Sequence, residues 1–348
     1  MKAFRRYARE ERAARLVDLP IPEPGGTEVL LKVAHCGICG SDLHAWLNHK
    51  GYESVLPEVT FGHELSGTVE KLGAKAKDWK VGDHAIMMAL QTPHDPDDRY
   101  CQDNLPQLSS RRRVQGLHLD GGMAEYVCID KEFLIPIPKD LPLKLAALTE
   151  PLSVAEHCIG NRTEITDGSN VVVSGPGIIG LLCAISARSR GAKVLLSGTE
   201  HDEPTRLRAA REIGFETLIV GPGKVNLDEQ VFHHFPEGAD ALVEASGAAS
   251  ALSESWKSVR ANGMVTAIAL YSRAIDIDIT QFLRKQIDLR TSYSSSRDDY
   301  LRAFRLLLDG AVDLDILTQD YPLSKAEQGF LDSEALKVTK VILNCSQT

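Results

Sequence analysis

The sequence has no long basic run, no continuous apolar stretch, no internal repeat and no low-complexity segment. Each absence removes a class of protein. The formal net charge is -9, and Arg111-Arg112-Arg113 is the only tight basic cluster. Nucleic acid is therefore a poor partner, since its phosphates call for a cationic surface. No run of roughly 18 apolar residues occurs, so no membrane span and no membrane partner are expected. The opening Met1-Lys2-Ala3-Phe4-Arg5-Arg6 is charged and lacks an apolar signal region. Seven cysteines in 348 residues form no evident disulfide framework. These absences point to a soluble, cytoplasmic protein in a reducing compartment. What remains is 43% hydrophobic and 25% charged, enough for a substantial core shared between two domains.

The stretch Val171-Val172-Val173-Ser174-Gly175-Pro176-Gly177-Ile178-Ile179-Gly180 organises the rest. Three β-branched residues lead into a Gly-x-Gly-x-x-Gly turn. Leu181 to Arg190 reads as a helix, and Lys193 to Leu196 as a second strand. A diphosphate fits such a turn, on the unpaired N–H groups of the helix start. Gly175 permits the turn, Gly177 lets the backbone approach a ligand, and Gly180 lets helix and strand pack closely. Ile178 and Ile179 lie at the helix start. The bland alternative is a glycine-rich turn that binds nothing. An acid is expected at the end of the second strand, to hold a ribose. This chain instead has Ser197-Gly198-Thr199-Glu200-His201-Asp202. Thr199 offers a hydroxyl, and Glu200 or Asp202 has to fold back. Arg206, Arg208 and Arg211 are near enough to consider a 2′-phosphate, although a solvated helix face is the simpler reading. NAD is favoured and NADP stays possible.

Further strands are read at Thr217 to Val220, Ala239 to Gly247 and Met264 to Leu270. Helices are read at Thr205 to Ile213 and Ala251 to Val259, with a turn at Ala261-Asn262-Gly263. This rhythm predicts a doubly wound parallel sheet. Ser246, at a strand end, is a candidate for the cofactor edge. Ile279 to Leu283 reads as a transition, Arg297 to Leu308 as a helix and Val338 to Leu343 as a final strand.

The flanking regions read as strands separated by proline and glycine turns, as at Glu28 to Ala34 and Gly121 to Ile129. They also carry the metal chemistry. Cys36 and Cys39 form a Cys-x-x-Cys that, at a helix start, has a thioredoxin-like reading and a buried-thiol reading. His63 and Glu64 sit between glycines. Glu150 stands among Ala, Leu and Pro, where a lone charge is expensive, so it needs a metal, a helix end or an arginine. Cysteine, histidine and carboxylate together make a mixed donor set suited to Zn²⁺. Gln91 to Asp120 reads as a long surface excursion. It holds Cys101 as its only cysteine, so four thiolates cannot be assembled there. His94 and His118 read as surface positions.

Together these residues resemble the medium-chain zinc-dependent alcohol/polyol dehydrogenases, closest to the sorbitol/threonine dehydrogenase branch. The resemblance rests on Cys-Gly-Ile-Cys-Gly-Ser-Asp-Leu-His at 36–44, Gly-His-Glu at 62–64 and Val-Gly-Asp at 81–83. It rests further on Gly-Gly-Met-Ala-Glu-Tyr-Val at 121–127, Glu-Pro-Leu-Ser-Val at 150–154 and the glycine turn at 175–180. It implies an α/β Rossmann-like doubly wound parallel sheet inserted in a GroES-like, mainly β catalytic domain. The division implied is 1–148 for the first catalytic part, 149–279 for the cofactor domain and 280–348 for the catalytic C-terminal part. It implies Cys39, His63 and Glu64 as zinc ligands, with Glu150 at or near the metal. Ser41 and His44 become proton-relay residues, and Glu64 and Glu150 adjust the metal or relay water. One catalytic zinc per subunit is implied, with a structural zinc absent because the 91–120 lobe has only Cys101. The implied reaction is reversible oxidation of a secondary alcohol, a polyol or sugar alcohol, to a ketone with hydride transfer to NAD(P). A homodimer or homotetramer is also implied. The alternatives are a threonine-like amino-alcohol dehydrogenase and a non-catalytic nucleotide-sensing protein.

Overall fold

Val171, Val172 and Val173 are each 0% exposed, so their strand is covered on both faces. In the computed structural model, which describes residues 1–92, 95–271 and 273–347, this strand (Asn170–Ser174) lies inside a six-stranded sheet. The order across the sheet is Glu216–Ile219, Lys193–Gly198, Asn170–Ser174, Ala239–Glu244, Val259–Ala267, Asp288–Thr291. All pairings are parallel. In chain order the strands therefore run 3-2-1-4-5-6, the dinucleotide-fold arrangement, whose ligand crevice lies where the order reverses. That reversal falls beside Ser174, which is in register with Ser197 on one side and Glu244 on the other. The core of this unit includes Val172, Leu195, Leu218, Leu242 and Val265.

Three readings in this region are refined. Thr205 to Ile213 is helical as read, but in two kinds of turn. Pro204 sits in a wide turn, Glu203–Leu207, and the α-helix is only Arg208–Glu212. Ala261-Asn262-Gly263 is not a turn after a long helix. The helical residues end at Lys257, and the strand Val259–Ala267 runs through the tripeptide. Asn262 takes a φ of 56°, and the pairing register shifts between Ala239 and Ala241, so the irregularity is absorbed inside the strand. Finally, the helix Ile279–Lys285 ends at Gln286 in the left-handed region. That bend delivers buried Ile287 and the sixth strand to the sheet. By contact this unit runs on to Ser295 and also takes up Asp309–Leu317.

The units are Met1–Glu150 with Ser296–Leu308 and Thr318–Thr348, and Pro151–Ser295 with Asp309–Leu317. The first is mainly β. Its long strand Glu28–Gly37 pairs antiparallel with Glu64–Leu72, Tyr126–Asp130 and Val341–Asn344. The C-terminal strand thus closes a sheet begun by the N-terminal third of the chain. Phe4, Trp46, Phe61 and Phe330 pack together in its core, with ring centroids 5.2–6.4 Å apart. Such a cluster joins the first strand, the helix Gly40–Trp46 and the late helix Ala326–Glu334. The Gln91 to Asp120 lobe is closed at its base by pairing of Leu90–Gln91 with Arg113–Val114. Within it Arg111 pairs with Asp95, Ser109 Oγ donates to Asp98 at 2.6 Å, and Asn104 donates to Asp298 at 2.9 Å. His94 lies outside the described residues.

Candidate metal centre

Sheet register brings the donor residues together. Gly37 stands opposite Glu64 and Cys36 opposite Leu65 in the antiparallel pair. Cys39 and His63 lie just beyond that pairing, one beside each strand. Both neighbouring glycines are sterically required. A Cβ on Gly37 would stand 2.0 Å from Glu64 Oε2, and one on Gly62 would stand 2.5 Å from Cys36 Sγ. Gly62 also has φ +101°, a conformation that favours glycine. One ligand atom each from Cys39, His63 and Glu64 lie within 4.8 Å of one another, the only such group of three among the described residues. Sulfur, nitrogen and oxygen at this spacing suit Zn²⁺.

The surroundings hold the donors in place. Cys39 is the N-cap of the helix Gly40–Trp46, and Asp42 Oδ2 accepts the Cys39 N–H at 3.0 Å. The other oxygen of Asp42 faces His63 Nδ1 at 3.4 Å. This leaves the far nitrogen, Nε2, to Ser41 Oγ at 3.3 Å and to the donor group. A carboxylate behind a histidine fixes its tautomer and raises its basicity as a ligand. Burial alone would depress His63, but Asp42 and Cys39 outweigh it and hold the imidazole well above its ordinary value. Lys340 forms a buried ion pair with Glu64 and donates to Ile38 O at 2.8 Å.

Glu150 is 9% exposed and lies outside the 4.8 Å set. Burial raises its carboxyl to about 7, with His63 and Lys340 opposing and Glu64 and Asp42 reinforcing the shift. Asp42, Glu64 and Glu150 are all buried, and Lys340 is the lysine set among them. The surroundings of the donors are rich in carboxyl groups, an arrangement that a bound dication balances. Burial, then His49, lowers His44. Its Nδ1 meets His49 Nδ1 at 2.8 Å, so one ring donates and the other accepts.

In the other unit the three glycines separate by cause. A Cβ on Gly175 would stand 2.6 Å from Ser246 N, and its φ is +104°. A Cβ on Gly180 would stand 1.9 Å from Gly175 O. Folding demands glycine at both. At Gly177 a Cβ would meet nothing within 4 Å, and φ is an ordinary -64°. Packing gives no reason for glycine there, whereas a ligand approaching the backbone does. Gly177 caps the helix Ile178–Ser189, so Ile178 and Ile179 supply N–H groups of the first turn. Thr199 does not present a free hydroxyl. Its Oγ1 and N–H both donate to Asp202 Oδ2, at 2.9 and 3.0 Å. Arg206 pairs with Asp202 at 3.5 Å and is only 19% exposed, so it does not lie on a solvated face. Glu200 pairs with Lys224 instead. Ser246 Oγ donates to buried Glu244 and accepts the Ala248 N–H at 3.1 Å, which shapes the loop after the strand.

Two family profiles match the chain: the alcohol dehydrogenase GroES-like domain over residues 25–139, and the zinc-binding dehydrogenase over 179–309. A sorbitol dehydrogenase of Halalkalibacterium halodurans is 34% identical, over 92% of this chain and 93% of its own. The chain belongs to the zinc-dependent medium-chain alcohol/polyol dehydrogenases. A D-arabitol-phosphate dehydrogenase of Enterococcus avium is 31% identical to this dehydrogenase, over 90% of this chain and 89% of its own. Among solved structures, 2R,3R-butanediol dehydrogenase from Bacillus subtilis superposes with a TM-score of 0.88 at 26% identity, over 99% of each chain.

The dehydrogenase is thus an enzyme, which removes the nucleotide-sensing alternative, and it oxidises secondary alcohols with zinc and a nicotinamide cofactor. No helix among its described residues is long and apolar enough to cross a membrane. Sequence reasoning missed two supports of the donor group. Asp42 stood inside a quoted motif, and its place three residues after Cys39 is a helix-capping spacing that points back to the cysteine. Lys340 had no local signal. Cys36, the other half of Cys-x-x-Cys, is fully buried and its thiol is pushed well up by burial. The cysteines of the described chain are all free.

Proposed function

We propose that the dehydrogenase oxidises a polyol at a secondary carbon to the ketone, using NAD and one catalytic zinc held by Cys39, His63 and Glu64. The convergence of these three donor atoms within 4.8 Å carries the reading. When bound, zinc polarises the substrate hydroxyl and the nicotinamide takes up the hydride. The protein's own work is positioning and proton movement. Ser41, at 3.3 Å from His63 Nε2, is placed to take the hydroxyl proton. His44, three residues on in the same helix, has its imidazole lowered by burial and then by His49, and its Nδ1 contact with exposed His49 gives the proton a path toward solvent. Glu150 is a buried carboxyl beside the donors, raised to about 7 by burial while the metal is absent. The single Cys101 of the lobe supports a count of one zinc. Asp202, folded back onto Thr199 beyond the end of the second strand, supports NAD, because a carboxylate there takes up Arg206 and disfavours a 2′-phosphate. The free thiols fit a cytoplasmic setting, and a homodimer or homotetramer is the assembly we infer.

A screen of the zinc-loaded enzyme, following reduced nicotinamide with NAD and NADP in parallel, tests this reading. Sugar alcohols, short diols, polyol phosphates and L-threonine are the substrates. Polyol oxidation with NAD is expected; a preference for L-threonine, or no turnover with zinc and cofactor bound, would overturn it.

Two further outcomes follow from the site. Gly177→Ala should leave thermal stability unchanged. A misplaced methyl costs about 1–3 kcal/mol, so cofactor affinity should fall roughly 10- to 100-fold. Gly180→Ala should unfold the enzyme more easily whether or not cofactor is present. Unaltered cofactor binding by the Gly177 variant would remove the diphosphate seat. In chelated protein, Glu150 should make stability depend on pH. Its folded value, about 7, exceeds its ordinary 4.5. The folded state therefore binds the extra proton, and stability falls as pH rises from 4.5 to 7. The loss is roughly 3 kcal/mol. Glu150→Gln should flatten that slope in urea titrations, and an unchanged slope would refute the assignment.

A further inference from the structure

The arginine cluster that set nucleic acid aside lines a cavity. Its volume is about 550 Å³, and its walls include Ser54, Glu58, Arg112, Arg113, His118 and Asp120. The charges there are not mutually cancelled. Arg111, also on the wall, pairs with Asp95. Asp120 is held by Arg5 at 3.2 Å and by the Thr60 N–H at 2.8 Å. Arg112 donates to Ser109 O at 2.8 Å, which fixes its guanidinium. The Arg113 side chain makes no hydrogen bond or ion pair among the described residues, and Glu58 and Asp120 are the acids on the wall. Burial and then Arg113 and Arg112 depress His118, as expected if both guanidiniums face it. A cationic cavity on a chain of net charge -9 attracts anions selectively.

Both walls grow from the segments that carry the reaction. A Cβ on Gly116 would stand 2.6 Å from the Gly62 backbone, and one on Gly121 would stand 2.2 Å from Gly62 O. The 113–121 segment therefore rests on the residue before His63. On the other wall, Ser54 meets His118 Nε2 at 3.2 Å. It lies two residues after Tyr52, whose ring stacks on His44 with centroids 5.5 Å apart. The cavity and the donor group are thus built from neighbouring segments of the chain.

We propose that this cavity is an anion subsite, in which Arg112 and Arg113 hold the terminal phosphate or carboxylate of an acyclic polyol substrate. It rests on the polyol reading above and narrows it to acidic polyols. Planar guanidinium groups suit both ligands, through paired N–H···O bonds.

The test compares a pentitol, its terminal phosphate ester and the matching aldonate, on zinc-loaded enzyme with NAD. Wild-type enzyme should favour an anionic form by about 10-fold or more in kcat/KM, mainly through KM, as one charge-assisted contact implies. Whichever of phosphate and carboxylate gains more identifies the ligand. Arg113→Gln should remove most of that preference and leave pentitol turnover within about 2-fold, while Arg113→Lys keeps part of it. Calorimetric titration of NAD-saturated, metal-free enzyme with inorganic phosphate reads the subsite apart from turnover, the metal and the diphosphate seat, and binding should vanish in the Arg112→Gln/Arg113→Gln variant. Phosphate binding that survives the double variant overturns the proposal. So does equal wild-type use of pentitol and both anions, or an equal loss for all three in Arg113→Gln. Pentitol turnover without anionic preference removes the subsite alone. Failure on every alcohol, with phosphate still bound through the arginines, removes the polyol reading and keeps the anion site.

Discussion

Cys39→Ser lowers kcat/KM by about 10³-fold or more and empties the zinc site, while the fold survives. The two halves of this expectation have separate causes. Cys39 occupies the N-cap of the helix Gly40–Trp46 with extended backbone, φ -87° and ψ 156°. Serine is among the best residues for that position, so the helix start keeps or gains stability. The metal, however, loses a thiolate and is offered a neutral hydroxyl. Lewis-acid stabilisation of the developing alkoxide is worth several kcal/mol, and about 4 kcal/mol corresponds to 10³-fold in rate. Metal analysis, thermal midpoint and kcat/KM on one preparation separate the effects. Cys36→Ser provides the contrast. That thiol is 0% exposed in the core and makes only a weak contact with Gly37 O. A buried hydroxyl without a good partner costs about 1–3 kcal/mol, so this variant should lose stability and keep zinc. If the Cys39 variant retained stoichiometric zinc and full turnover, the donor assignment would be wrong.

What the sequence made visible is what local chemistry encodes. Val171 to Val173 announced a doubly covered strand because three consecutive apolar β-branched residues have no exposed face. Gly175 to Gly180 announced a tight turn because Gly180 relieves a contact within that turn and Gly175 one with the loop after Ala239–Glu244. Cys39, His63 and Glu64 were legible as residue types, since few soluble chains place those groups beside glycines without a reason. Partners contributed from far along the chain were not legible. Lys340 reaches Glu64 only because Ile342 pairs with Gly37 and Gly37 with Glu64. No pattern near residue 340 encodes that double register. Arg206 misled for a related reason. Its company with Arg208 and Arg211 suggests a solvated face, yet the turn at Glu203–Leu207 directs it back onto Asp202. The run of the cofactor unit on to Ser295 arises likewise. The strand Asp288–Thr291 is short and polar in sequence and is recruited by pairing with Val259–Ala267.

Lys340→Met should destabilise metal-free enzyme strongly and zinc-loaded enzyme much less. Lys340 is 2% exposed and Glu64 is 1% exposed. Neither charge has water to fall back on. Methionine fills the aliphatic volume of lysine but leaves the Glu64 carboxylate unpaired, and breaking a buried pair from one side costs about 3–5 kcal/mol. The Ile38 carbonyl also loses its donor. In the chelated protein nothing replaces the ammonium. Zinc bound at Cys39, His63 and Glu64 supplies positive charge to the same carboxylate, so the penalty shrinks when metal is present. Linkage then requires the converse: a state destabilised only without zinc binds zinc more tightly. The variant should show a larger zinc-induced rise in thermal midpoint than wild type and slower metal loss to a chelator. Turnover should fall by about 10- to 100-fold, as for other groups that orient a metal ligand, because Glu64 is no longer held against the sheet. An identical loss of stability with and without zinc would mean that Lys340 and Glu64 are a structural pair turned away from the metal. In that case Glu150 would be the carboxylate to test as the third ligand.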